Sequence, residues 1–176
     1  MTEIATALYV KKTGHVLGVV TRTGDPAGTV AVGVLAGTAF PVLDPQTDDV
    51  LVEVEPAELD VKNVPLIDDL LLDPQNCYVD ADAGKAFLAA GAAPTATLTA
   101  SGVTVTIGSN ATEKTPVWAQ LESGSGSNRR RVVLSGDITV GTDHVDLAST
   151  FASGDYDLLA LAGGRPPSVN PDQNVP

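Results

Sequence analysis

The sequence contains few residues of several types, and each scarcity excludes a class of protein. Cys77 is the single cysteine, so no intrachain disulfide can form and the fold does not depend on one. Its neighbours Asn76 and Tyr78 favour a strand in which the thiol is an inert apolar group, with a reactive or intermolecular thiol as the alternative. Only three Phe, three Tyr and one Trp are present, which predicts a core packed from Val, Leu and Ala.

Basic residues and long apolar runs are also scarce. Ten Lys and Arg oppose 22 Asp and Glu, and the resulting net charge of −12 argues against nucleic acid or an anionic membrane as a partner. No apolar run approaches the ~20 residues that a membrane helix needs. The N-terminal residues lack the apolar region of a secretory signal. We therefore expect a cytoplasmic protein at synthesis, with a virion or an extracellular particle as an alternative destination.

Motifs that carry chemistry are missing as well. No Gly-x-Ser-x-Gly, phosphate-binding loop or dinucleotide fingerprint occurs. His15 and His144 are the two histidines, and both are expected to be exposed residues in turns. Two histidines and one cysteine are too few for most zinc sites. The sequence predicts no enzyme, no cofactor and no metal site, and it leaves open only weak calcium binding at the acidic stretches 44–49 and 80–82.

What the sequence does contain is a repeated strand–turn–strand pattern, clearest in the segment from Trp118 to Leu134. Strand-length units recur at roughly ten-residue intervals, which is typical of β-sandwiches and small barrels. The step Gly154-Asp155-Tyr156, which leads into an apolar run, resembles the late strand of an immunoglobulin-like sandwich. The predicted fold class is all-β and mainly antiparallel, sandwich-like or barrel-like, immunoglobulin-like in the C-terminal half, with at most one or two short helices.

The N-terminal half is predicted to hold a series of strands and two ambiguous segments. Residues 63–72 are interpreted as a short helix or a bent strand, and residues 82–91 as an Ala-rich helix or a hairpin turn. The expected strands are Ala5–Lys12 and Val16–Arg22 around a glycine turn, then, after a break at 24–28, Thr29–Leu35, Phe40–Leu43 and Val50–Glu55. In Val50–Glu55 the face that carries Glu53 and Glu55 is expected to be solvated.

The C-terminal half is predicted to be more regular, and it ends in a proline-rich tail. The strands expected there are Thr95–Thr99, Val103–Ile107, Val117–Glu122, Arg131–Leu134, Asp137–Val140, Val145–Ala148 and Tyr156–Ala162. Four prolines among the last fourteen residues favour an extended arm. This arm is expected to lie either on the chain's own body or across a neighbouring subunit. We divide the chain into residues 1–92, residues 93–165 and a tail at 166–176.

The charges are segregated along the sequence. Residues 44–82 hold twelve acidic residues against one base, Lys62, whereas Arg129, Arg130 and Arg131 are consecutive. One interpretation is a solvated strand edge protected from aggregation by charge. The other is a contact with the acidic residues 44–60 of a second copy. The candidate interface residues are Arg129, Arg130, Arg131, Glu53, Glu55, Glu58 and Asp60, together with Arg165, Pro166, Pro167 and Pro171 of the tail.

These observations favour a non-enzymatic structural subunit of a larger bacterial or phage-like particle, such as a tail, shell or decoration component. Its expected partners are other copies of itself or other particle proteins. The alternative is a monomeric immunoglobulin-like module that binds a carbohydrate or a protein through loops 124–128 and 149–154.

Overall fold

A computed structural model describes residues 4–22, 28, 30–124 and 129–176 of the chain. The described part is mainly antiparallel β-structure with two five-residue helices, α1 (Val32–Ala36) and α2 (Asp68–Leu72), which confirms the all-β prediction. Its strands are β1 (Ile4–Val10), β2 (Val16–Arg22), β3 (Phe40–Leu43), β4 (Val50–Val54), β5 (Leu59–Pro65), β6 (Cys77–Asp80), β7 (Lys85–Leu88), β8 (Thr95–Thr99), β9 (Gly102–Thr106), β10 (Thr115–Ser123), β11 (Arg130–Ile138), β12 (His144–Ala148), β13 (Gly154–Ala162) and β14 (Ser168–Val175).

The predicted opening hairpin is confirmed, and its turn depends on Gly14. This residue has a φ of +78°, a conformation that glycine adopts without the steric penalty of a side chain. A Cβ atom at this position would also collide with the carbonyl oxygen of Val79 in β6. The Val79 amide donates a 2.8 Å hydrogen bond to the Gly14 carbonyl. The turn is therefore held against the β6–β7 hairpin.

The strand predicted at Thr29–Leu35 is wrong, because the described part of this segment contains helix α1. Gly37 ends the helix with a φ of +61°, and its amide donates to the Gly33 carbonyl. Ala36 is the one buried residue of α1, so this small-residue run lies mostly at the protein surface and not in a buried strand. Thr29 and most of the predicted break at 24–28 lie outside the described residues.

The helix predicted from Asn63 begins later, because strand β5 extends through Pro65. β5 pairs with β1 along its whole length, and the Thr6 hydroxyl donates to the Asn63 side chain at 2.8 Å. A proline is tolerated here because β5 is an edge strand of the sheet β2-β1-β5. Residues 82–91 contain the turn and second strand of the β6–β7 hairpin, so the hairpin interpretation is confirmed.

The two strands predicted at Arg131–Leu134 and Asp137–Val140 are one strand, β11, which pairs with β10 from end to end. The sequence Ser135-Gly136 had suggested a turn. Gly136 instead allows a close approach of β12, because a Cβ at this position would lie 2.7 Å from the Leu147 side chain. The other C-terminal strands are confirmed to within two residues at each end.

The two sheets of the C-terminal half contribute to one apolar cluster. Their strand orders are β11-β10-β13-β14 and β12-β9-β8. The odd-numbered residues of β10 point into this cluster. Members from both sheets are Val103 and Val105 of β9, Val117, Ala119 and Leu121 of β10, Leu147 of β12, and Leu158 and Ala160 of β13.

A second apolar cluster crosses the predicted boundary between residues 92 and 93. Trp118, Leu159 and Leu161 of the C-terminal sheet are buried in it together with Leu8, Val52, Val54 and Leu59 of the N-terminal part. The two parts therefore share a buried contact. A third cluster lies within the N-terminal part and includes Leu70, Cys77 and Val79. No helix among the described residues has the length and apolar character needed to cross a membrane.

Candidate interaction surfaces

Two of the three consecutive arginines contact acidic residues of the same chain. Arg129 Nη1 lies 3.1 Å from Glu53 Oε2, and its Nε contacts Glu122 Oε2. Arg131 Nε donates to Glu122 Oε1 at 3.0 Å, and its Nη1 donates to Glu55 Oε1 at 2.5 Å. The face of β4 that was expected to be solvated therefore meets arginines. The predicted charge complementarity exists within one chain, and a role between copies stays a prediction.

Glu122 is the centre of this ionic cluster, and it is only 1% exposed. Besides the two arginines, it accepts a 2.8 Å hydrogen bond from the Glu53 backbone amide. Gln120, two residues earlier on the same face of β10, donates to the Glu53 carbonyl at 2.8 Å and to Glu122 Oε1 at 2.6 Å. Two side chains of β10 thus satisfy both backbone polar groups of Glu53, as a neighbouring strand would.

The same face of β10 makes a third polar contact with the N-terminal part. The indole Nε1 of buried Trp118 donates to Glu58 Oε2 at 2.9 Å. We call Glu53, Glu55, Glu58, Trp118, Gln120, Glu122, Arg129 and Arg131 the polar seam. Because these contacts are directional, they set the position of residues 53–58 on β10 and β11. Gln120 Oε1 is buried without a hydrogen-bond partner in the described part of the chain.

The remaining predicted charges are placed differently. Asp60 accepts from the Tyr9 hydroxyl at 3.4 Å, and burial together with this carboxylate raises the pKa of Tyr9. Arg130 is exposed and forms no ion pair with a described residue. At the far end of β11, the Asp137 carboxylate forms ion pairs with Lys12 at 2.8 Å and with Lys114 at 3.1 Å. The hydrogen bond from Lys12 is the main cause of the lowered pKa of Asp137.

The proline-rich tail lies on the chain's own body. Residues 168–175 form β14, which pairs with β13, so one of the two predicted positions of the arm is observed. Pro171 lies within this strand, and Pro166 and Pro167 connect it to the turn at Arg165. The Arg165 guanidinium donates to the Ala92 carbonyl at 3.4 Å, and the Arg165 carbonyl is bonded to His15 Nε2.

His15 is buried rather than exposed, contrary to the sequence-based expectation. Its Nδ1 lies 3.1 Å from the Thr13 hydroxyl, and its Nε2 binds the Arg165 carbonyl. Burial lowers the pKa of His15 to about 4. His144 is exposed as expected and lies 2.8 Å from Asp143, whose carboxylate raises the pKa of His144. His15 joins the first turn of the chain to the start of its tail.

The acidic turns use their carboxylates locally. Asp44 accepts from the Gln46 amide at 2.9 Å, and Asp80 accepts from the amides of Asp82 and Ala83. These are turn-stabilising contacts. Across the described residues, no group of three or more His, Cys, Asp or Glu is arranged to hold a metal ion. Cys77 is buried in a strand, as predicted, and burial raises the pKa of its thiol.

An exposed group of apolar side chains lies where α2 packs against β7. Leu72 is 83% exposed, Leu71 50%, Leu88 53% and Phe87 39%. The Phe87 ring stacks on Tyr78 with 5.6 Å between centroids. Phe87 and Leu88 are consecutive in β7 and point to opposite faces of the hairpin, and Leu88 shares the face of Cys77, which packs with Leu70 of α2. We call Leu71, Leu72 and Leu88 the apolar patch. Its α2 side carries the exposed acids Asp68, Asp69 and Asp73.

Two shallow grooves lie beside the junction of the two parts. One of about 450 Å³ is lined by residues that include Lys12, Lys114 and Asp82. A second of about 300 Å³ shares Tyr78, Glu113 and Gly164 with it. Of the two proposed binding loops, 124–128 is described only at Gly124. No protein-family model, curated protein or solved structure matches the chain.

The apolar patch and the buried partners of Glu122 were not predicted. In the sequence, Leu66, Ile67, Leu70 and Leu71 form one stripe of the predicted helix, but the observed five-residue helix buries only Leu70. Glu122 was assigned to a strand with no signal of its burial. Its position two residues from Gln120 and four from Trp118 is a possible signal, because those residues share one face of a strand.

Proposed function

We propose that the chain is a non-enzymatic structural subunit that self-assembles into a larger bacterial or phage-like particle, as a tail, shell or decoration component. The apolar patch carries this proposal. It exposes three leucine side chains on a protein whose net charge is −12. Grouped apolar exposure of this kind on a folded protein marks an interaction site.

The scaffold that presents the patch is, in this proposal, a β-sandwich with an immunoglobulin-like C-terminal half. The cluster shared by the sheets β11-β10-β13-β14 and β12-β9-β8 supports this arrangement. The second cluster and the polar seam join the N-terminal part to it. A rigid surface is useful to an assembly subunit, because little conformational freedom is lost when copies associate.

The partner that suits the patch is a second copy. The patch is bordered by the acids of α2. In a two-fold arrangement the same surface of each copy forms the contact. Such a contact buries the apolar centre and leaves the acids at the hydrated rim, as protein interfaces generally do.

Substitution of Leu72 by Glu tests this proposal. The side chain is exposed, so the monomer should fold normally, whereas a carboxylate in the interface would oppose association. We expect the concentration needed for assembly to rise at least about tenfold, because a buried leucine contributes about 1.5–3 kcal/mol and about 1.4 kcal/mol is a factor of ten. Size-exclusion chromatography with light scattering, followed by negative-stain imaging, measures the effect.

Val140→Glu is the matched control, because Val140 is also exposed, at 64%, but lies apart from the patch in the turn after β11. This variant should assemble like the wild type. A wild-type chain that remains a monomer of 18.0 kDa at every concentration would overturn the proposal and favour a monomeric binding module. Equal assembly of the Leu72→Glu variant and the wild type would remove the patch from the interface.

A further inference from the structure

A two-fold contact through the apolar patch joins two copies and then closes, so a larger particle needs a second and different contact. We propose that this second contact is an exchange of β14, in which the C-terminal strand of one copy pairs with β13 of another copy. The partner is a second copy of this chain, and the binding surface is the edge of β13. This inference rests on the proposed function.

β14 is an edge strand that pairs with β13 along its length. Asn174 donates to Asp155 at 2.8 Å, and the Ser153 hydroxyl donates to the Pro176 carbonyl at 2.9 Å. Ser168 and Val175, at its two ends, are the buried residues of the strand. Release of β14 therefore breaks the ladder with β13 and uncovers the apolar contacts of Val169 and Val175. Each lost contact is regained on a second copy, because the two sites are identical.

The edge that β14 leaves would attract another strand. Val175 belongs to the first apolar cluster and lies opposite Gly154 at the start of β13. Without β14, this cluster would be open and the outer edge of β13 would present unpaired amide and carbonyl groups. Such an edge binds an extended segment by adding it to the sheet. Another β14 has the matching sequence and register.

The connection between β13 and β14 is held by hydrogen bonds at its first residues and is conformationally restricted by two prolines after them. The Gly163 amide donates to the Pro116 carbonyl at 2.9 Å, and the Arg165 carbonyl is bonded to buried His15. Between Arg165 and the first residue of β14 lie only Pro166 and Pro167. Proline restricts its own φ and disfavours helical conformations in the preceding residue. The link therefore stays extended, and a change of direction after Arg165 is enough to carry β14 away from its own body.

Two single-cysteine variants, made like their controls on a Cys77→Ala chain, detect the exchange. Asp155 and Asn174 lie directly opposite each other on β13 and β14, and opposed positions of an antiparallel pair fall within disulfide range. Asp155→Cys and Asn174→Cys chains are unfolded together, refolded under reducing conditions at assembly concentration and then oxidised. Neither chain alone can form this disulfide. A mixed covalent dimer on a non-reducing gel is expected, and it forms only when β14 of one chain lies on β13 of the other.

The matched control uses Asp80→Cys and Lys85→Cys, a directly opposed pair within the tight β6–β7 hairpin, which should give no mixed dimer. A mixed dimer from the first pair, above the level of each variant oxidised alone, supports exchange. Absence of that dimer from the two variants, while the wild-type chain assembles, overturns exchange and leaves the proposed function standing. Absence of both the dimer and any assembly overturns both proposals.

Discussion

The polar seam and the apolar patch are both unusual surfaces, and they differ in how their groups are partnered. In the seam, Glu122 is 1% exposed and is bonded to Arg131, Gln120 and the Glu53 amide within one chain. In the patch, Leu72 is 83% exposed. Charged groups that looked available for a partner in the sequence are used inside the chain, whereas apolar groups of the predicted helix segment remain uncovered.

This difference separates stability from assembly. Directional contacts of buried charges are costly to break, because the remaining partner is left unpaired in a region of low polarity. Exposed apolar side chains contribute little to the stability of an isolated monomer, but they contribute free energy when a second surface covers them. We therefore expect seam variants to change unfolding and patch variants to change association.

The largest expected effect is that of Glu122→Ala on the seam. This substitution removes the acceptor of the Glu53 amide and of Arg131, and it leaves two partly buried arginines without their shared carboxylate. We expect the free energy of unfolding to fall by about 3 kcal/mol, as for other buried ion pairs that lose one partner. Urea denaturation followed by tryptophan fluorescence measures it, since Trp118 belongs to the seam.

Glu55→Ala is the control for this experiment. Glu55 also bonds Arg131, but its side chain is 58% exposed, so its loss should cost less than about 1 kcal/mol. If the Glu122→Ala chain were as stable as the Glu55→Ala chain, the seam would be a surface feature without a role in holding the two parts together.

The next effect concerns His15, which makes contacts within the chain. His15 titrates, whereas the residues of the apolar patch do not. The pKa of this residue is about 4 in the folded chain, because the neutral ring is buried, against 6.5 for the unfolded chain. The unfolded state therefore binds the proton more tightly, so the contribution of neutral His15 is complete above pH 6.5. It is lost progressively between pH 6.5 and 4. The loss is about 3 kcal/mol over the whole window, at about 1.36 kcal/mol per unit of pKa difference.

Comparison with His15→Gln isolates this effect from the titration of the acids. Urea unfolding of both chains at pH 7 and pH 4.5 should show a larger loss of stability in the wild type on acidification. Equal losses in the two chains would mean that His15 is accessible to protons in the folded state and does not hold Arg165.

The smallest expected effect is that of Leu72→Glu on the stability of the monomer. The Leu72 side chain is exposed at the end of α2, and such substitutions usually change the free energy of unfolding by less than about 0.5 kcal/mol. Urea unfolding at a concentration below that of assembly tests this value. A loss of more than about 1 kcal/mol would place Leu72 in the folded core and remove the basis of the patch as an interface.

The parts of the fold that were predictable are those set by local chemistry. Gly14 marks the first turn, alternating apolar residues mark β10, and a continuous apolar run marks β13. The errors arise where tertiary contacts override local preference. Gly136 resembles a turn residue but serves the close approach of β12. Asn63 resembles a helix cap but accepts a hydrogen bond from Thr6 on the neighbouring strand.

The candidate surfaces were predictable in chemistry but not in position. The complementarity of Arg129 and Arg131 with Glu53 and Glu55 was evident in the sequence. Whether such groups pair within a chain or between chains depends on the docking of β4 against β10, and no local pattern records that. The burial of His15 likewise depends on Arg165, which is 150 positions away in the sequence.

The measurement that tests the account most directly is light scattering on purified wild-type, Leu72→Glu and Glu122→Ala chains across a concentration series, with urea unfolding of the same samples. The account predicts that wild type assembles, that Leu72→Glu remains a stable monomer, and that Glu122→Ala is destabilised yet still assembles wherever it is folded. The contrary result, in which Glu122→Ala abolishes assembly at full stability while Leu72→Glu assembles normally, would place the interface at the charges instead of the apolar patch.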